Sequence, residues 1–247
     1  MNLPINYAAA LNRDGLTTVN KFGFQGAIAT TSIAVWDRAI AYNYIPTATA
    51  LKVTSGSTAD TAAGTGAQTV QLFGLDANYN QINETVSLNG QTIVLTTQTF
   101  LRVFRAIVLT AGSGATNAGI IYAFTGAEAS GVPSTATQIY AQISVGEAQT
   151  LMAVYTVPTG FKALMTDIFV AADSSQTITV HLVARPLGGI FNTKEKLLVK
   201  QGNTFVMHAL PKVFDEKTDI ELRAKISAST TDVAAAFDII LIPIVGT

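Results

Sequence analysis

Residues 69–90 read TVQLFGLDANYNQINETVSLNG, and their patterning decides the fold class. Val70 and Leu72 share one face of the first run; Ile82, Val86 and Leu88 share one face of the second, with Thr85 and Ser87 opposite. A period of two is what a half-buried strand requires, because successive side chains point to opposite faces of a sheet. Asp76-Ala77-Asn78-Tyr79-Asn80 lies between the runs, and Asp and Asn side chains satisfy turn backbone locally. The stretch predicts a β-hairpin packed against a core on one face.

The same grammar extends in both directions. Apolar, β-branched runs recur at 28–36, 50–55, 92–96, 100–110 and 118–125, with the small polar stretch GSTADTAAGTGAQ (56–68) as a loop. FLRVFRAIVL (100–109) is the one run where helix competes; its Val, Ile and Phe content favours strand. AEASGVPSTA (127–136) has the Ser, Gly and Pro of a connector. Beyond it, strands are expected at 137–144, 150–157, 161–171, 177–184, 205–210, 218–226 and 233–244. Ile220, Leu222, Ala224 and Ile226 alternate with Glu221, Arg223, Lys225 and Ser227, which predicts one wet face. Ile239, Ile240, Leu241 and Ile242 make both faces of the last strand apolar, as in a central strand or one covered by another subunit.

The expected architecture is therefore all-β, with two antiparallel β-sandwich domains, Ig-like or jelly-roll-like, preceded by an extended N-terminal arm. The boundaries are an arm over 1–25 with a helical turn or two at 7–11, a first sandwich over 26–128, a linker at 129–136 and a second sandwich over 137–247.

Composition narrows the function classes. The chain has 247 residues, 49% hydrophobic and only 13% charged, with a formal net charge of −1. Near-neutral charge leaves no electrostatic footprint for nucleic acid. The absence of cysteine removes disulfide frameworks, thiol nucleophiles and cysteine zinc sites. Residues 1–15 lack the basic start and apolar run of a signal peptide. Residues 234–245, interrupted by Asp238 and Pro243, are too short to cross a bilayer as a helix. A soluble product with no membrane partner is expected, and its low charge predicts surface covered by other subunits.

Candidate chemistry does not assemble. Asp76, Asn78 and Asn80 match the start of a calcium loop, but Gln81 stands where the glycine belongs and Ser87 where the bidentate carboxylate belongs. A looser hairpin site adding Glu84 stays open beside the simpler reading of an Asx-rich turn. Gly64-Thr65-Gly66 begins a dinucleotide fingerprint, but Thr69 replaces the last glycine and a strand follows where a helix N-terminus is needed. His181 and His208 fall on different strands, which favours satisfied polar positions over a metal or catalytic pair. Asp215/Glu216 and Asp219/Glu221 sit among Lys212, Lys217 and Arg223, which predicts ion pairing on a solvated rim. Glu84 shares the apolar parity of its strand, so Arg102 or Arg105 is the expected partner. No catalytic, cofactor-binding or metal residue is assigned, and no enzymatic activity is expected.

Several blocks carry a resemblance. VPTGFKALMTDIFVAA (157–172), VARPLGGIFNTK (183–194), EKTDIELRA (216–224) and AAFDIILI (235–242) stand in the second half; FGLDANYNQINETVSLNG and FLRVFRAIVLTAG stand in the first. Together they resemble virion structural proteins of tailed bacteriophages, of the type common in marine and cyanobacterial phages. That resemblance implies a non-enzymatic part of the virion, assembled in the host cytoplasm, and transfers no functional residues. Its lead reading is a head decoration or cement protein that contacts the major capsid protein. A collar, tail or baseplate component is the alternative within the class, and a glycan-binding adhesin module lies outside it. Decoration proteins on local three-fold axes imply a homo-oligomer, a trimer. Leu3, Ile5, Tyr7, Leu11, Phe22 and Phe24 are the apolar contacts the arm offers to a neighbouring subunit or the capsid floor.

Overall fold

The computed structural model describes residues 4–244. The chain is all-β, 57% strand against 4% helix, in antiparallel sheets. A short helix, α1 (Ile5–Ala10), precedes β1 (Thr17–Ile28) and β2 (Ile33–Ala34). Next come β3 (Thr49–Ser55), β4 (Ala67–Leu75), β5 (Gln81–Ser87), β6 (Val94–Phe100), β7 (Arg102–Ala111) and β8 (Ile121–Phe124). The two-residue strands β9 (Glu128–Ala129) and β10 (Val132–Pro133) lead into β11 (Ile139–Ile143). The last third supplies β12 (Val154–Thr156), β13 (Phe161–Ala172), β14 (Ile178–Arg185) and β15 (Asn192–Val199). It ends with β16 (Gly202–Phe214), β17 (Asp219–Ile226) and β18 (Thr231–Pro243).

Two compact units result. One is continuous, Ile40–Leu151; the other joins the residues up to Ala39 with those from Met152 onward. This division differs from the expected one at both boundaries, for two reasons of pairing. Residues 17–25, read as part of an arm, form most of β1 and pair in register with β18, from Thr17↔Leu241 to Gln25↔Val233. Their inward face carries Lys21, Gly23 and Gln25, so the apolar alternation that marks a strand is missing there. Residues 129–136, read as a linker, interrupt a single sheet instead, because β8 and β11 pair across them, Ile143↔Ile121. The β9–β10 turn is pinned down: Thr54 Oγ1 donates to the Gly131 carbonyl at 2.8 Å and the Gly131 amide to Glu128 at 2.7 Å. Gly131 has φ +79 and no room for a Cβ against the Ser55 carbonyl, so only glycine fits.

In the continuous unit, sheet β11-β8-β3-β6 packs with sheet β5-β4-β7. Leu51, Val53, Val70, Leu72, Val86, Phe100, Ile121 and Ile143 fill the space between. The hairpin read from 69–90 is β4–β5, with Val70 opposite Val86, and residues 100–109 are mostly strand β7. The 56–66 loop is held by Asp60, which is fully buried. Its carboxylate accepts from the amides of Ala67 (2.7 Å), Ala118 (2.8 Å) and Gly119 (2.8 Å) and from the Ser55 hydroxyl (2.5 Å). A buried anion needs such a full set of donors, and here the set ties two loops to β3 and β4.

In the discontinuous unit, the sheets are β1-β18-β13-β16 and β12-β17-β14-β15, with β2 on β17. β18 is central, as its two apolar faces require. Met165, Ile168, Val170, Phe237 and Ile239 of one sheet and Leu182, Ile220 and Leu222 of the other are buried, as are Trp36 and Tyr155. β1 crosses the chain tightly at Gly23, where a Cβ would meet the Val35 carbonyl and lie 2.6 Å from the Ala153 amide nitrogen. The reading of the sequence did not expect β15, and of 28–36 only Ile28, at the end of β1, and β2 are strand.

Asp60→Ala leaves three amides without this acceptor, two of them buried, and at about 1–3 kcal/mol for each buried unsatisfied group the loss should exceed about 2 kcal/mol. Urea unfolding of the full chain should show an early transition for the continuous unit; an unchanged midpoint contradicts the role given to Asp60. Gly23→Ala should destabilise the other unit by at least about 2 kcal/mol through overpacking against backbone, read as a lowered melting temperature.

Candidate functional site

The outer face of sheet β1-β18-β13-β16 is where unusual residues converge. Register aligns Asn20, Asp238, Asp167 and Met207 across its four strands. The next row is Phe22, Ala236, Phe169 and Phe205. A bulge makes this possible: β13 has Thr166 between Met165 and Asp167, while β16 has four residues, 208–211, in the same interval. Leu210 is thrown outward by that bulge, and His208 turns toward Glu195, with Nε2 to Oε2 at 2.8 Å.

Beside the bulge lies a cleft of about 560 Å³, within the size range of ligand pockets. Asn6 of α1 borders it, Asn20, Asp167, Asp238 and His208 line it, and Ile240 contributes an apolar wall. Asn20 Nδ2 donates to Asp238 at 2.6 Å, and Thr166 Oγ1 donates to Asp167 at 2.9 Å. Neither carboxylate has a cationic partner among the described residues. Burial pushes the Asp167 carboxyl above its ordinary value and the Asp238 charge adds to this; the Thr166 hydrogen bond and His208 oppose it. Glu195 goes the other way: burial would raise it, but His208 and Lys212 (3.4 Å) hold it low. The histidine ring remains incompletely used, since Nδ1 is buried without a hydrogen-bond partner.

The apolar row makes the surface around this cleft unusual. Phe205 is 56% exposed and Met207 73%, with Phe169, Leu210 and Val213 also open. Edge strands are normally blunted by charge, Pro or bulges; β16 has the bulge and Pro211 but keeps its large apolar side chains outward.

The candidates named from sequence fall as follows. Ile5, Tyr7 and Leu11 are exposed on or beside α1; Phe22 and Phe24 are half-buried on the outer sheet face; Leu3 lies outside the described residues. Asp76 accepts from the amides of Asn78 (2.8 Å) and Asn80 (2.9 Å) and from Asn80 Nδ2 (3.0 Å), an Asx turn that occupies both carboxylate oxygens. Burial alone would raise its pKa, but these hydrogen bonds outweigh it. Glu84 is bound by the β6 backbone: Thr97 N at 2.7 Å, Thr97 Oγ1 at 3.0 Å and Gln98 N at 2.8 Å take the place of the expected arginine. His181 and His208 lie in different sheets, on β14 and β16, and share no partner.

The acidic pairs separate. Asp215 meets Lys162 at 3.1 Å, and Glu216 accepts from Gly160 N (2.6 Å) and Thr159 (2.9 Å), with Lys217 at 4.0 Å; this is an exposed rim. Asp219 and Glu221 are buried instead, Glu221 to 1% exposure. Arg185 Nε and Nη2 both donate to Asp219 Oδ2 (3.0 and 2.6 Å), Thr156 Oγ1 donates to the other oxygen (2.6 Å), and Glu221 pairs with Arg223 (2.7 Å). Both guanidiniums stack on Phe191, at 4.6 and 4.2 Å from its centroid, which covers one side of the pairs while the arginines stay partly exposed. The wet face expected for β17 is therefore wet only toward Lys225. Among the described residues, no group of three or more His, Asp or Glu is arranged to hold a metal ion.

The fold and this surface define an all-β protein of two sandwiches with one partly apolar, acidic sheet face. No protein-family model matches the chain, and no curated protein matches it. Among solved structures it is similar to chains of infectious bursal disease virus. The Gx strain structure has 10% identity and a TM-score of 0.24, covering 98% of this chain and 77% of that one. The Gt strain structure has 11% and 0.21, with 97% and 78% covered. The crystal structure of the VP2 subviral particle has 11% and 0.21, with 98% and 78% covered. At such identities and TM-scores the likeness settles nothing about this chain's role.

A folded pKa above the unfolded one means that the contribution of Asp167 to stability is complete below the unfolded value and lost as pH rises through the folded one. Asp167→Asn removes that loss. Its melting temperature should exceed that of the unmodified chain at pH 7, and the gain should vanish below about pH 4, the ordinary carboxylate range. A variant no more stable at pH 7 contradicts the strain assigned to the pair.

Proposed function

We propose that this chain is a non-enzymatic structural protein of a tailed-bacteriophage virion, a decoration or cement protein that strengthens the head shell. It acts as a homo-oligomer, a trimer, bound to the major capsid protein. The observation that carries the reading is the outward patch of Phe169, Phe205 and Met207 across two neighbouring rows, an exposed apolar band that a protein at large in solution has reason to cover. The sequence blocks that resemble phage virion proteins give that band its setting. Ile5, Tyr7 and Leu11 add a second apolar contact beside α1, suited to the capsid floor.

The test is composition and position in purified particles of the phage that encodes the chain. Mass spectrometry should find it at many copies, and particle microscopy should place it on the head. Absence from particles ends the reading, and density at the collar, tail or baseplate moves the protein within the class. Replacing Ile5, Tyr7 and Leu11 by Ser should leave melting nearly unchanged, since all three are exposed, yet lower particle occupancy several-fold, on the order of the 1–2 kcal/mol that interface side chains contribute. Unchanged occupancy removes these residues from the contact.

A further inference from the structure

We propose that copies of this chain associate head to tail, the basic outer face of sheet β12-β17-β14-β15 of one copy docking on the acidic, apolar outer face of sheet β1-β18-β13-β16 of the next. The inference deepens the assembly part of the function proposed above and rests on that reading only for its virion setting.

Both faces belong to one sandwich, and each carries charge that the chain itself leaves uncompensated. On β14 and its neighbours, register aligns Lys196, His181 and Arg223, and in the next row Leu198, Thr179 and Lys225. Arg223 is spent on Glu221 and Phe191. Lys196 and Lys225 are exposed and form no ion pair among the described residues. Both lie close to His181, whose pKa is lowered by burial first and then by these two lysines. Leu198, 62% exposed, adds an apolar knob to the same face.

The opposite face is the complement. Asp167 and Asp238 are direct cross-strand neighbours with no ion pair among the described residues, only the field of His208 acting on Asp167, an arrangement that costs stability by itself. Phe169, Phe205 and Met207 stand beside them as the apolar counterpart to Leu198. Lysine ammoniums from a second copy relieve the carboxylate pair, and burying the apolar groups supplies most of the attraction. Because two different surfaces meet, the contact is heterologous: it closes into a ring, a three-fold ring included, or runs on as a filament.

Sedimentation of the full chain tests this. The unmodified protein should associate, and raising salt from about 0.05 to 0.5 M should weaken association on the order of tenfold. Asp167→Lys spoils only the acidic face, and Lys196→Ala with Lys225→Ala spoils only the basic one. Each variant should sediment as a monomer alone, and an equimolar mixture should give 1:1 dimers and nothing larger, because one intact pair of faces remains. An unmodified chain that is monomeric at every concentration, or whose association ignores salt, overturns the proposal. So does a lysine variant that associates as well as the unmodified chain, which decides the matter even if Asp167→Lys does not fold. A mixture that stays monomeric overturns it too. Particle composition reads the virion assignment and sedimentation reads the contact, so either can fail alone.

Discussion

Strand β18 needs a partner on each edge, and much of the molecule follows from how it obtains them. Its alternate residues are apolar on both faces through Ile239–Ile242, so it is stable only inside a sheet, with every backbone amide paired. β13 supplies one edge from across the four strands β14 to β17, and β1 supplies the other from the far end of the chain. That closure draws the first 39 residues into the same unit as the last third. It also turns the whole of Ile40–Leu151 into an excursion between two strands of one fold. The close crossing at Gly23 is the local consequence, since β1 passes the Val35 and Ala153 backbone with no room for a side chain.

The two units solve the burial of polar groups by the same means in different places. In the continuous unit a carboxylate, Asp60, sits at zero exposure and gathers three amides and a hydroxyl. In the other, Asp219 and Glu221 are covered by Arg185, Arg223 and the Phe191 ring. Asp60 and Asp219 each take a donor from a segment distant in sequence, Ala118 and Gly119 in the first case and Arg185 in the second, so each ties separate segments together. The pair Asp167 and Asp238 is the exception. It is placed side by side by register and has no ion pair among the described residues, with only the field of His208 opposing the repulsion at Asp167.

That contrast bears on function. Paired buried ions are stability devices, whereas two adjacent carboxylates that accept hydrogen bonds but form no ion pair among the described residues, beside exposed Phe205 and Met207, have no stabilising use within their own chain. Assembly offers one, and it agrees with the weak overall charge of the chain: a protein with few charges gains more from placing them on faces that meet.

How much of this was legible follows from the range of each interaction. Alternation within 69–90, the turn chemistry of Asp76 to Asn80, and the doubly apolar last strand are local properties, readable from a few neighbouring residues. They determined that the protein is all-β and antiparallel and that β4 and β5 form a hairpin, and they left β18 as either central or covered by another subunit, which the pairing with β1 and β13 decided. β1 escaped because its inward positions are Lys21, Gly23 and Gln25, chosen by close packing and not by hydrophobicity. Asp60 stood unremarked in a polar loop, since nothing nearby announces donors more than fifty residues away. The candidate surface is the extreme case. Phe22 and His208 were singled out one by one, but Asn20, Asp167 and Asp238 come from three strands whose order and register no spacing encodes. Pairing between distant strands decided which charges meet, and that depends on the whole chain's closure rather than on any stretch of it.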